Sequence, residues 1–428
     1  MRSVEEHQGV VAGLITARPP VAVALADTLG LVLAEDVVAP LSLPGFDNSA
    51  MDGYAVVAED VADACDTEPV RLPVAEDIPA GRTDPVTLKP GTAHRIMTGA
   101  PLPSGATAVV PVEATDGATD TVAIRAAAKP GQHIRRAGED VEAGTTVLRA
   151  GQVLTPAALG LAAALGLGEL TVVPRQRVLV LSTGSELVAA GTALKPGQIY
   201  ESNAVMLAAA AKDAGALVAT APMSSDDVDE FRAVLARHAA DADLIITTGG
   251  VSAGAYEVVK DALKAGPPAT SSAGAAPAAT SSTGAAPPAT STTGAVEFVK
   301  VAMQPGMPQG AGRIGDTPII TLPGNPVSAL VSFEVFIRAP LRAAMGLPHP
   351  QRPRLTAELK EDLTSPRGKR QFRRGVLDAS AGEVTSYGPP ASHHLRWLAS
   401  ANCLLEIDED VSELAAGSAV QVWDLSSG

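Results

Sequence analysis

From Arg177 onward the chain repeats strand, loop and helix, and this rhythm narrows the possible folds more than any other feature. Val178-Leu179-Val180-Leu181 is a continuous apolar run ending in Ser-Thr-Gly, as expected of a parallel strand covered on both faces. Leu244-Ile245-Ile246 leads into Thr247-Thr248-Gly249-Gly250, and Ile319-Ile320-Thr321-Leu322 leads into Pro323-Gly324-Asn325-Pro326. Helical stretches alternate with these runs. Ser202 is placed to cap a helix over Asn203–Ala214 closed by Gly215, and Asp226 to cap one over Asp227–His238. A third helix lies near Tyr256–Lys264, and a long one runs from Pro326 to about Met345. Such alternation predicts a doubly wound α/β domain with a parallel sheet and its ligand at the carboxyl ends of the strands.

At 428 residues the chain exceeds one core, since a domain takes about 150 residues. A short amphipathic helix over 4–16 stops near Arg18-Pro19-Pro20. Residues 21–172 then read as brief Val/Thr/Leu strands punctuated by Gly and Pro. Within them lies a helix from Pro156 to Leu165, with Thr155 as its N-cap. After His349-Pro350 short alternating strands return and predict a small β-domain. Residues 268–295 carry a ten-residue near-repeat of Pro, Ala, Ser, Thr and Gly. With no charge or large apolar group to offset ordering entropy, this stretch is expected to be a disordered, low-complexity insertion in a loop of the α/β domain.

A formal charge of −15 without a long basic run argues against nucleic acid and against an anionic membrane surface. No stretch approaches 18 consecutive apolar residues, and the start, MRSVEEHQGVVAGL, is acidic where a signal peptide is basic. Cys65 and Cys403 have neither metal-ligand spacing nor a secreted framework's density, so both are expected to be reduced thiols in a cytoplasmic protein.

Four clusters join a permissive loop to a carboxylate or hydroxyl. In Pro44-Gly45-Phe46-Asp47-Asn48-Ser49-Ala50-Met51-Asp52-Gly53-Tyr54-Ala55 an Asx-turn accounts for Asp47, whereas Asp52, before Gly53 and an apolar strand, reads as functional. In Arg95-Ile96-Met97-Thr98-Gly99-Ala100-Pro101 the Thr98 hydroxyl can face a ligand. Ile134-Arg135-Arg136-Ala137-Gly138-Glu139-Asp140-Val141 reads equally as a surface ion-pair set or as an oxyanion clamp beside a metal carboxylate. The fourth cluster spans Ser182-Thr183-Gly184-Ser185-Glu186, Asp226-Asp227, Gly249-Gly250-Val251-Ser252 and Pro323-Gly324-Asn325-Pro326. Glycines at strand ends let backbone amides converge on a phosphate or nucleotide, and Pro326 leaves the amides after it pointing into the loop. No Walker motif or Gly-x-Gly-x-x-Gly fingerprint is present. Glu186, just past such a loop, is placed to hold magnesium.

The combination PGFDNSAMDGYA, RIMTGAP, IRRAGEDV, LSTGSEL, TTGGVSAG and LPGNPVSA resembles the bacterial molybdopterin molybdenumtransferases and the related E domain of gephyrin. The resemblance covers nearly the whole chain except the repeat. It implies a multidomain α/β plus β fold: an α/β molybdopterin-binding-type domain with a parallel sheet (173–347), two N-terminal β-rich domains and a C-terminal small β-barrel (348–428). Residues 1–44 with 131–172, and 45–130, are the expected N-terminal domains. It further implies a homodimer whose active site lies between the α/β domain of one subunit and the second domain of its partner. Implied substrates are molybdate and adenylyl-molybdopterin, with magnesium as cofactor and the upstream adenylyltransferase as a partner. By resemblance the catalytic residues are Asp52, Thr98, Asp140 and Glu186, and the metal ligands Glu186, Asp226 and Glu257. Ser182, Thr183, Gly184, Ser185, Gly249, Gly250, Ser252, Pro305, Gly306, Pro323, Gly324, Asn325, Pro326, Arg374 and Ser392 are expected to bind substrate.

Two departures stand out. Many members carry a Lys-Pro-Gly-Lys-Pro segment where this chain reads Gln304-Pro305-Gly306-Met307-Pro308, and Ser185 stands where many have aspartate. Either another cation, with Arg135, Arg136 and Arg313 as candidates, takes over from the lysines, or insertion requires high molybdate; the loss of polarity at Met307 favours the second. A paralogue or scaffold that binds the pterin without inserting metal is the alternative function. An adenylyltransferase is disfavoured by the flanking β-domains and the MDGYA segment.

Overall fold

The computed structural model describes residues 1–220, 227–250, 258–264 and 296–426. Asp226, Ser252, Glu257, the repeat segment and the start of the helix expected near Tyr256 lie outside the described residues. The chain forms two compact units, one of Met1–Val21 with Val173–Gly428 and one of Ala22–Val172.

In the first unit, β1 (Arg177–Ser182), β2 (Leu217–Thr220), β3 (Leu244–Thr248), β4 (Glu297–Lys300), β5 (Pro308–Ile314) and β6 (Thr317–Leu322) form one sheet in the order β2-β1-β3-β6-β5-β4. The first four strands of that order are parallel. The expected parallel sheet therefore holds for these strands, whereas β5 and β4 add an antiparallel edge. The reason is local: only Gly315 and Asp316 separate Ile314 from Thr317, and so tight a turn permits a hairpin but no crossover.

The apolar runs are continuous because both sheet faces are covered. Val178, Val180, Leu244, Ile246, Ile320 and Leu322 pack in one core with α1 (Val4–Leu14), α2 (Asn203–Asp213) and the helix that follows β6. Leu179, Leu181, Ile245 and Ile319 pack in another with α3 (Val228–His238) and α4 (Val258–Lys264). The long helix after β6 is interrupted: α5 (Pro326–Ser332) and α6 (Arg338–Ala344) flank a π-helical turn, Phe333–Ile337. On that turn sits α1, with Gln8 donating to the Val335 carbonyl at 3.1 Å and the His7 ring standing edge-on to Phe336. Sequence reading groups this helix with residues up to 44; an amphipathic stripe calls for a core but does not say which one.

Two caps differ from expectation. Asp227, not Asp226, caps α3, accepting from the Asp229 and Glu230 amides at 2.9 and 2.8 Å. Ser202 precedes α2 without a capping bond, and Glu201 accepts from the Ala204 amide at 2.6 Å in its stead. Thr155 does cap its helix, accepting from Ala158.

The C-terminal strands β7 (Arg354–Leu359), β8 (Arg370–Asp378), β9 (Glu383–Ser386), β10 (Cys403–Ile407) and β11 (Ala419–Asp424) pair in the order β8-β9-β7-β11-β10, and β10 returns to β8. This closes a five-stranded barrel around Leu359, Val384, Leu405 and Val422. Cys403 is buried among them, which pushes its thiol up to about 12. Met303 and Gln304 pair with Arg370 and Gln371 at the start of β8, tying the segment before Pro305 to the barrel. A buried ionic network ties Arg352, just before the barrel, to the α/β body. Arg352 holds Glu334 at 3.0 Å and Asp213 at 3.2 Å, and Arg338, only 2% exposed, holds Asp213 at 2.7 Å.

The second unit contains a five-stranded sheet of Ala108–Pro111, Gly53–Val56, Ala93–Ile96, Val70–Ile78 and Thr121–Ile124, in that order. Tyr54, Val56, Val110, Val122 and Ile124 fill its core. Among the described residues no helix is long and apolar enough to cross a membrane.

Candidate functional site

The chain leaves β1 for β2 on one side and then crosses to β3 on the other, so the order reverses between β1 and β3, where open α/β sheets bind ligands. A cavity of about 1060 Å³ opens there, at the carboxyl ends of β1, β3 and β6. The apposition of the first two loops needs Gly249. Its φ is +90°, and a Cβ would lie 2.7 Å from the Thr183 carbonyl.

Most of the expected substrate residues meet here. Thr183, Gly184, Gly249, Gly250, Pro305, Gly306, Pro323, Gly324, Asn325, Pro326 and Ser392 all line the cavity, as does Glu186. Ser182 lies beneath the lining, fully buried, with its hydroxyl donating to Glu201 at 2.8 Å and 3.2 Å from the Thr248 hydroxyl. Ser185 occupies the turn between Gly184 and Glu186.

Arg374 is placed differently from expectation. It is buried behind the wall and its guanidinium donates to the carbonyls of Pro389, Ala391 and His394. It therefore shapes the loop whose residues Pro390–His393 line the cavity. Burial and the neighbouring Arg373 charge lower its pKa. Ser392 locks this loop to α5, its carbonyl accepting from Val327 N at 3.1 Å and its hydroxyl from Asn325 Nδ2 at 2.9 Å. One amide expected to be free after Pro326 is thus already engaged.

Tyr200, Glu201, Ser202 and Asn203, none of which was expected to bind substrate, also line the cavity. Asn203 donates to the Gly324 carbonyl at 2.7 Å and so joins two walls. A signal was present: Glu-Ser-Asn at a helix start, following β1, puts a carboxylate and an amide at a strand-end level.

Glu186 and Glu201 are the carboxylates on the described lining, and no Lys or Arg is among those residues. Gln304 and Met307, the positions where the resemblance led to an expectation of lysine, also line it. Arg313 is committed elsewhere, donating to the carbonyls of Asp316 at 2.6 Å and Leu14 at 3.0 Å. No group of three or more His, Cys, Asp or Glu with metal-holding geometry occurs among the described residues.

In the second unit the structure brings Asp52 and Thr98 together. Asp52 Oδ1 accepts from Thr98 N at 2.7 Å and Thr98 Oγ1 at 2.8 Å. These bonds, the backbone one first, hold the Asp52 carboxyl below the usual range. Asp140 is exposed, its amide donating to the Leu43 carbonyl. Asp47 is no Asx-turn: it accepts from Ala137 N at 2.8 Å and pairs with Arg136 at 2.5 Å, and both lower its pKa. Arg136 is thus an ion-pair partner, while Arg135 is exposed.

Comparison with known proteins agrees with this architecture. Residues 2–166 match the MoeA N-terminal region (domain I and II), 179–343 a probable molybdopterin binding domain, and 356–425 the MoeA C-terminal region (domain IV). The chain is 67% identical over 426 residues to molybdopterin molybdenumtransferase 2 of Mycobacterium tuberculosis, covering 100% of both chains. It is 37% identical to molybdopterin molybdenumtransferase 1 of that organism, over 99% of this chain and 98% of the other. The crystal structure of a molybdopterin biosynthesis MoeA protein from Pyrococcus horikoshii superposes with a TM-score of 0.76 at 28% identity, over 99% of this chain and 98% of that one. The chain belongs to the molybdopterin molybdenumtransferase family.

Proposed function

We propose that the chain inserts molybdate into adenylylated molybdopterin and releases AMP, acting as a magnesium-dependent homodimer in the cytoplasm and receiving its pterin from the upstream adenylyltransferase. The observation that carries this reading is the cavity at the β1/β3 reversal, where three glycine-bearing strand ends meet a loop of the barrel. In the reaction, two dithiolene sulfurs replace two oxygens of molybdate, which leave as two waters carrying the two thiol protons and two protons from solvent, and a further water cleaves the adenylate link. The chain's own part is chiefly positioning. Gly184, Gly249 and Gly250 let the substrate approach the backbone, Asn203 and Ser392 brace the walls, and Pro305-Gly306 and Pro323–Pro326 bound the cavity.

Glu186 is the described carboxylate that would hold magnesium, with Asp226 and Glu257 as further ligands by resemblance. A carboxylate on a polar cavity wall is the hard oxygen donor this ion takes. Magnesium, when bound, would neutralise phosphate charge. Asp52, Thr98 and Asp140 are proposed as catalytic residues contributed by the partner's second unit.

The test is molybdate-dependent AMP release by the purified full chain. Glu186→Gln keeps the shape and removes the charge, so AMP release should fall at least a hundredfold while pterin affinity stays within severalfold. Normal turnover by the variant would reject the role given to Glu186. A pterin binder that inserts no metal is the second reading, and the absence of Lys and Arg from the described lining favours it. That reading requires tight pterin binding with no AMP release.

A further inference from the structure

We propose that His393 is the group that receives the molybdate oxyanion in this chain, in place of the lysines absent at Gln304 and Met307; the assignment rests on the transferase reading above. A tetrahedral dianion entering this cavity meets two carboxylates, Glu186 and Glu201, and no Lys or Arg among the described lining residues. Glu201, and Glu186 where no magnesium offsets it, oppose an anion, so a donor able to carry positive charge favours its binding. On the described lining His393 is the one side chain of that kind. Tyr200, Ser202, Asn203, Gln304 and Asn325 offer only neutral donors.

Two of the three candidate arginines are otherwise employed, Arg313 holding two carbonyls and Arg136 holding Asp47, and Arg374 lies behind the wall. The backbone around His393 is also held in place. The buried Arg374 ties the carbonyls on both sides of it, Ser392 bonds both Asn325 and Val327, and the His394 ring stands edge-on to it with centroids 4.4 Å apart. A loop already fixed leaves only the ring's own rotamers to be ordered on binding, so more of its hydrogen bond contributes to affinity. Gln304–Pro308 and Pro390–His393 line the same cavity, so the histidine shares its wall with the two positions where the resemblance led to an expectation of lysine.

The test is isothermal titration of sodium molybdate, and separately of molybdopterin, into the full-length wild type and the variants His393→Ala and His393→Arg. Loss of a charge-assisted contact should weaken molybdate binding by about tenfold or more in His393→Ala. Pterin affinity and melting temperature should be unchanged, and His393→Arg should restore molybdate affinity. Adding Gln304→Lys to His393→Ala should restore it as well. Equal molybdate affinity in wild type and His393→Ala overturns the proposal, as does wild type that binds no molybdate. A parallel loss of molybdate and pterin affinity also overturns it, because the histidine would then only shape the loop. Wild type that binds molybdate through His393 yet releases no AMP sustains this assignment and sinks the transferase reading instead.

Discussion

Asp52 and Thr98 are both exposed, yet two hydrogen bonds from one residue fix the carboxylate's direction. Thr98→Val removes the hydroxyl and leaves the backbone donor, which is the larger cause of the shift. The Asp52 pKa, read by NMR titration, should therefore rise part of the way toward the ordinary value of about 3.9. An unchanged titration would mean that the hydroxyl bond is not made in solution. Because the folded pKa is depressed, the stability this group adds is present above the unfolded value and lost as pH falls through the folded one. How well single residues were legible depended on whether their job is local. Gly249 and Pro326 announce strand-end loops by their own backbone limits. Arg374 does not announce its side: two adjacent arginines on a strand give no clue which points at the ligand and which at a carbonyl cage. Glu201 was hidden because a carboxylate before a helix reads as a cap, and here it is one while also facing the cavity.

At the scale of elements, α1 and the π-helical turn form a joint whose weak point is His7. The ring is fully buried, neither nitrogen has a partner among the described residues, and burial lowers its pKa to about 4. The unfolded chain binds this proton near pH 6.5 and the folded one only near 4. His7 therefore leaves stability intact above the upper value and erodes it as pH falls through the interval, by up to about 3 kcal/mol. His7→Met fills similar space without titrating, so its stability between pH 4 and 6.5, followed by urea unfolding, should fall less steeply than wild type. Identical pH slopes would show that the ring finds a partner when charged. The sheet was the most legible element. Unbroken apolar runs require two covered faces, and both cores are present. The antiparallel edge was less visible, because it depends on Gly315-Asp316 being too short for a crossover.

At the scale of the whole molecule, closure of the barrel was expected only through resemblance, since short alternating strands suit a barrel or an open sheet equally. Its attachment to the α/β body runs in part through the buried pair Arg352–Glu334. Arg352→Met leaves Glu334 buried with only Arg338, 3.9 Å away, and should cost up to about 3 kcal/mol. The double variant Arg352→Met with Glu334→Gln should recover much of that loss in a denaturant titration. A single variant as stable as wild type would show the network to be dispensable. The strand-end loops, the braces at Asn203 and Ser392 and the carboxylate of Glu186 matter functionally only if they serve one reaction. The most direct measurement is mass spectrometry of the pterin after the full chain is incubated with adenylyl-molybdopterin, magnesium and molybdate. The expected product is a pterin that has lost adenylate and gained molybdenum bound through both sulfurs, with one AMP released for each metal inserted. A pterin recovered with its adenylate intact and no metal, from a chain that binds it tightly, would contradict the transferase reading.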